Sequence, residues 1–211
     1  MKDIIILLIK SKRFISGFIL FVFVLTFGLL GPVVYPQDPF KMVGGLFSPP
    51  SEKYILGTDN LGRDVFVELM HGIRTSLLIG ATAGVIATLI GVSIGSFAGY
   101  KGGLIEEILM GITNVLITIP PIVILILLSV AIKTRTAITM GIVIGVTAWP
   151  WTARAVRAQT SSLKTREHIE LAKITGFNTF EMIVFEILPY MFSYIFMAFI
   201  LQFSSGVLNE A

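Results

Sequence analysis

Five stretches of the chain carry no Asp, Glu, Lys or Arg: 14–35, 75–100, 108–132, 136–153 and 187–209. A helix that crosses a bilayer needs roughly 20 mostly apolar residues, within a range of about 17–25. Each stretch therefore predicts a transmembrane helix, the run 136–153, with Trp149, Pro150 and Trp151, being the shortest. The pattern predicts an all-α membrane protein, a polytopic helical bundle with five spans. The first run is long for a signal peptide, and Gly31-Pro32-Val33-Val34 is a poor cleavage site, so the run reads as a retained anchor.

One polar stretch, REHIELAKITGFNTFEMIVFEILPY at 166–190, lies between the last two runs. Thr165 is the expected cap of a helix, with Glu167 near its positive end. Ile169, Ala172 and Lys173 fall on one face, and Leu171, Ile174 and Thr175 fill the next stripe. Gly176 suits the residue just past a helix C-terminus. Asn178 and Glu181 match a capping box for a second helix, and Pro189 closes it. Two short helices hinged on glycine result.

Composition sharpens this picture. The 211 residues are 55% hydrophobic and 14% charged, against about 25% charged in a soluble domain. There is no cysteine, which excludes disulfides, thiolate zinc sites and thiol catalysis. The net charge of +3 gives no reason to invoke nucleic acid. Basic residues report orientation instead. Lys2, Lys10, Lys12 and Arg13 precede the first run and place the N-terminus, 1–13, in the cytoplasm. Alternate threading puts 36–74 and 133–135 outside and 101–107 and 154–186 inside. Ten Lys and Arg then lie inside, against six outside: Lys41, Lys53, Arg63, Arg74, Lys133 and Arg135. The helix-turn-helix is thus cytoplasmic.

Gly80 and Gly84 share a helix face, as do Gly91, Gly95, Gly99 and Gly103, and Gly141 and Gly145 repeat the spacing. Such glycines let backbones approach closely, which drives helix association in lipid. Pro120-Pro121 should kink the third span and free backbone carbonyls. No phosphate loop, HExxH or GxSxG occurs. The two histidines, His71 and His168, fall on opposite sides of the membrane. Neither catalysis nor a bound metal is expected, so any ATPase must be another chain.

Glu170-Leu171-Ala172-x-x-x-Gly176, followed after nine residues by Glu186-Ile187-Leu188-Pro189, resembles the EAA motif of membrane subunits of binding-protein-dependent ABC importers. Leu171 and Glu186 depart from its usual residues. ILGTDNLGRDVFVELMHGIRTSLLIGA, AGYKGGLIEEILM and WPWTARAVRAQTSSLK are similar to signatures of the dipeptide/oligopeptide/nickel branch, of the DppC/OppC type. Together these cover about 50–190. Glu106 stands at an acidic position of the second signature. The family's Arg and Asp in the third span are replaced by Gly111 and Asn114.

The resemblance implies a coupling loop at 154–189 set into a cytoplasmic ATPase, with Glu170, Ala172, Gly176, Leu188 and Pro189 as its residues. It implies a first helix at 14–35, an extracytoplasmic loop at 36–74 and a permease domain at 75–211. It implies a second, homologous permease, ATPase subunits that bind the ATP and Mg, and an extracytoplasmic solute-binding protein. This chain would bind no cofactor and sit, multi-pass, in a prokaryotic cell membrane. Gly57, Asp59, Gly62, Arg63 and Asp64 form the external-loop motif, read either as local turns and pairs or as a contact for a partner. Six spans are usual in the branch, and Val207–Ala211 resembles the onset of a further branch stretch, so a longer chain is expected. A stand-alone channel or carrier and a non-transporting scaffold are the rival functions. An ion-coupled carrier usually keeps ionisable residues inside its spans, and these runs have none.

Overall fold

The computed structural model describes residues 10–131 and 136–210. Lys2, Lys133, Arg135 and Ala211 lie outside the described residues. The secondary structure is helical, with two isolated bridges and no strand among the described residues. The chain divides into two compact units, Met1–Leu77 and Leu78–Ala211.

In the first unit, α1 (Lys12–Val34) starts at Ser11, whose hydroxyl accepts the Phe14 N–H. The second helix, α2 (Val65–Lys101), begins in this unit and runs on into the next. Gly28 and Gly31 of α1 meet Ile73 and Met70 of α2, close enough that a Cβ would displace both. Phe27 packs edge-on against Phe66, ring centroids 5.6 Å apart. The intervening loop carries the two isolated bridges, Met42–Arg63 and Thr58–Asp64, and is held by turns and side-chain bonds.

The second unit continues with α3 (Gly103–Thr118), α4 (Pro121–Ala131), α5 (Ala137–Leu163), α6 (Glu167–Ile174), α7 (Thr179–Glu181) and α8 (Phe192–Glu210). A π-helical turn, Met182–Ile187, and a 3₁₀ turn, Pro189–Met191, join α7 to α8. Gly141 and Gly145 of α5 lie against Thr82 and Ile86 of α2. Gly91, Gly95 and Gly99 of α2 lie against Thr152, Val156 and Thr160 of α5. The paired numbers rise together, so the two helices run parallel. Gly80 meets Phe203 and Val207 while Gly84 meets Phe199 and Phe203, so α8 runs antiparallel to them. The chain between Lys101 and Ala137 must therefore travel back along the pair.

Gly103 was expected on the packed face and is not there. The helix has ended at Lys101, and the chain turns through Gly102 and Gly103, both at positive φ, leaving open space around Gly103.

By length and apolar content, three helical stretches among the described residues suit a membrane crossing: α1, α2 and Thr179–Asn209. A fourth counts if α3 and Pro121–Leu128, bent by 83°, form one broken span. The bend falls where Pro120 and Pro121 remove two helical donors. Missing from that set is α5, because Thr, Gly, Trp149, Pro150 and Trp151 dilute its apolar content and Arg154 and Arg157 interrupt its second half. Ten of its residues, from Gly141 to Leu163, are buried.

Candidate functional site

The segment after α5 is built from local rules. Its first helix, α6, is preceded by Arg166 as the cap residue, with no side-chain cap bond. Thr165, the expected cap, bonds back to the Ser162 carbonyl at 3.2 Å. The reason is that α5 persists to Leu163, and a threonine hydroxyl one turn past a carbonyl bonds to it in preference to a later amide. Glu167 and Glu170 lie in the first turn and Lys173 in the last, matching the helix dipole.

The end of α6 is a Schellman turn. The Gly176 N–H donates to the Lys173 carbonyl at 3.2 Å and the Phe177 N–H to the Ala172 carbonyl at 3.4 Å. Gly176 has φ +93°, and nothing lies within 4 Å of where a Cβ would stand. The Asn178 side chain accepts from the Phe180 and Glu181 N–H groups at 2.9 and 3.1 Å. The Glu181 carboxylate accepts from the Asn178 N–H at 2.8 Å, closing the capping box.

The two faces of this element differ. Ile169 and Ala172 are buried in a cluster with Val156, Leu163, Met182, Ile183, Ile187 and Met191, and Leu188 packs against it. Leu171, Ile174 and Phe180 are 64%, 81% and 71% exposed. Glu170 is exposed and borders an open cleft of about 710 Å³ with Lys101, Lys164 and Lys173. Pro189 opens the 3₁₀ turn. Of the EAA-like residues, Ala172 and Leu188 thus meet in one core, Glu170 stands on the outer side, and Gly176 makes the turn.

Close by, two arginines of α5 reach α3. Arg157 forms an ion pair with Glu106. Arg154 donates to the Asn114 side-chain oxygen at 2.6 Å and lies over the Trp151 ring at 5.7 Å. The sequence reading placed Glu106, Asn114 and both arginines in separate motifs and did not pair them. Opposite polarity was the only available signal, and the partners are 51 and 40 residues apart.

The external-loop residues form a self-contained turn system in the first unit. Gly57 and Gly62 have φ +78° and +76°, and a Cβ on either would strike a backbone carbonyl, of Ser48 or Gly44. The Asp59 carboxylate accepts from the Leu61 and Arg63 N–H groups at 2.8 and 2.7 Å. Desolvation raises the Asp59 pKa, but those bonds, the Arg63 charge and the Gly62 N–H outweigh it, and the carboxyl sits below its ordinary 3.8. Buried Asp64 accepts from Phe66 N–H at 2.9 Å, capping α2. Arg63 pairs with Glu68, at 3.4 Å, and lies over the Phe40 ring. Of the local pairs expected among the motif's own charges, its salt bridge thus goes to the first turn of α2.

The family model for the binding-protein-dependent transport system inner membrane component matches residues 91–211. The chain belongs to that family. Among its relatives is the dipeptide transport system permease protein DppC of Bacillus subtilis (strain 168), 36% identical over 181 residues, which are 85% of this chain and 56% of the relative. The oligopeptide transport system permease protein OppC of the same organism is 31% identical over 212 residues, 100% of this chain and 69% of the relative. The di/tripeptide permease protein DppC of Pseudomonas aeruginosa (strain UCBPP-PA14) is 30% identical over 208 residues, 95% and 68%. The permease is of the ABC importer class, dipeptide/oligopeptide branch. It spans little more than half the length of the first of these relatives. The family match takes in the glycine seam of α2, both arginines and the whole helix-turn-helix.

Proposed function

We propose that this chain is one membrane half of an ATP-driven importer that carries small peptides inward. It pairs with a second, homologous permease, receives solute from an extracytoplasmic binding protein and is driven by cytoplasmic ATPases that hold the ATP and Mg. Its N-terminus lies in the cytoplasm of a prokaryotic cell, with five spans threaded alternately through the inner membrane. The parallel α2 and α5 and antiparallel α8 support that threading, because parallel neighbours need a crossing between them. The broken α3–α4 helix is that crossing.

Coupling to the ATPase is assigned to 154–189, with Glu170, Ala172, Gly176, Leu188 and Pro189 as its working residues. The observation that carries this reading is the two-faced α6–α7 element. Its inner face is anchored by Ile169 and Ala172, while Leu171, Ile174 and Phe180 stand exposed on an element fixed by a Schellman turn and a capping box. Rigid apolar residues offered outward suit insertion into a partner's groove. The lysine-rich cleft beside Glu170 gives that partner a polar rim.

The test is Ile174→Glu in the assembled importer. Membrane insertion should persist while co-purification with the ATPase and peptide uptake collapse. Normal uptake with the ATPase absent would identify a stand-alone carrier instead. Stable insertion with no solute movement, and no ATPase recovered with the unaltered protein, would identify a scaffold.

A further inference from the structure

The second unit holds a cavity of about 220 Å³ among α3, α4, α5 and α8, bordered by Leu116, Ile117, Thr147, Gln202, Ser205 and Asn209. Its position is set by the broken helix. Leu116 and Ile117 border the cavity, and because Pro120 and Pro121 carry no N–H, their carbonyls have no helical donor four residues on. Irregular backbone at membrane depth persists only where protein covers it or where it lines a wet cavity.

Three polar side chains of α8 face the same problem. The Gln202 amide nitrogen donates to the Ala148 carbonyl at 3.2 Å and the Thr152 hydroxyl at 2.7 Å, both on α5. That fixes the side chain and leaves its oxygen as an acceptor. Two turns on, the Asn209 amide nitrogen donates to the Ser205 carbonyl and hydroxyl at 2.8 and 3.0 Å, which leaves a second amide oxygen. The Ser205 hydroxyl keeps its own hydrogen to give. These residues interrupt a mostly apolar helix, where each polar group is costly unless it meets a polar partner.

We infer that this cavity is a transit site for the solute, and that its acceptor-rich, uncharged wall engages the N–H groups of a peptide in passage. The inference rests on the permease reading and deepens it. Two amide oxygens and two freed carbonyls supply acceptors without a fixed charge. A wall of that kind recognises the backbone that all peptides share and holds none of them tightly. The volume takes about one peptide unit, so the other half of the path falls to the partner permease.

The chain has no cysteine, so one introduced thiol can be read alone. Ser205→Cys is compared with Leu201→Cys, which lies one turn back on α8 at an exposed position. Both are made in the assembled importer in proteoliposomes, and labelling by a small water-soluble thiol reagent is followed during ATP turnover with and without trialanine. The Ser205→Cys thiol should label, and trialanine at about ten times its half-saturating concentration should slow that labelling about 10-fold, as simple occupancy requires. The thiol at 201 should show no protection. Labelling at 205 that ignores trialanine, or equal protection at both positions, in an importer that still moves peptide, overturns the transit site alone. An unaltered assembly that moves no trialanine overturns the permease reading and this site with it.

Discussion

Gly95 and Gly176 are the same residue used for opposite reasons. At Gly95, in mid-helix, a Cβ would strike the Ala153 carbonyl and lie 2.9 Å from the Val156 Cβ. At Gly176 there is nothing within 4 Å, but φ is +93°. The first glycine is required by a neighbour and the second by its own backbone. Substitutions therefore fail in different ways: one breaks packing between helices, the other bends a turn whose surroundings have room.

The largest effect is expected at the seam. Gly95→Leu should push α5 off α2, since overpacking a close interface costs typically about 1–3 kcal/mol and backbone contact raises it. The fraction recovered as a monodisperse assembly in detergent measures it. Gly95→Ala should already lower that fraction, and unchanged recovery of the leucine variant would place this face in open space. Gly176→Leu should be milder. The left-handed backbone costs an ordinary residue about 1–2 kcal/mol, with no clash added. Insertion should survive while ATPase association and uptake fall, and Gly176→Asn should restore both, because Asn adopts this conformation more readily. If Asn behaves as badly as Leu, side-chain space rather than φ controls the turn.

A smaller effect is expected from Asn178→Ala, which removes the cap of α7 at a cost of about 1 kcal/mol. Faster amide hydrogen exchange across Phe180 and Glu181, with α6 unaffected, is the reading to look for. The smallest lies in the external loop, where the Asp59 carboxylate adds its bonds to a turn that Gly62 already shapes. The Asp59 carboxyl is depressed below 3.8. Its contribution is complete above that value and is lost as pH falls through the lower folded pKa. Exchange protection of the Leu61 and Arg63 amides should drop over that acid range, and Asp59→Asn should flatten the profile.

What the sequence made legible was local. The positive φ of Gly176, the Asn178–Glu181 box, the turns at Gly57 and Gly62 and the break at Pro120-Pro121 each depend on residues within one turn. Thr165 failed as a cap because α5 runs on and supplies a nearer carbonyl, a competition that a list of capping residues does not contain. Gly103 failed because spacing alone cannot say where a helix stops. The ion pair of Arg157 with Glu106, the bond of Arg154 to Asn114 and the hold of Gln202 on α5 were hidden because they depend on which helices become neighbours. Residue type marked them as unusual in an apolar chain, and only the packing of α3 and α8 against α5 showed what they face. The apolar outer stripe of α6 was visible as a stripe, yet its exposure was not, since an amphipathic pattern does not say which side is covered.

The wide turn at Met182–Ile187 changes how this region is to be read across relatives. Met182 and Ile187, five apart, are both fully buried, which is the repeat of a π-helix and not of an α-helix. One residue has been wound into the helix without lengthening its path. Measured along the axis, everything before the turn is rotated by about 100° against an uninterrupted α-helix. A relative lacking one residue here would keep the same faces only by straightening the turn. A one-position gap inside 182–187 is therefore a change of twist, and not a lost contact.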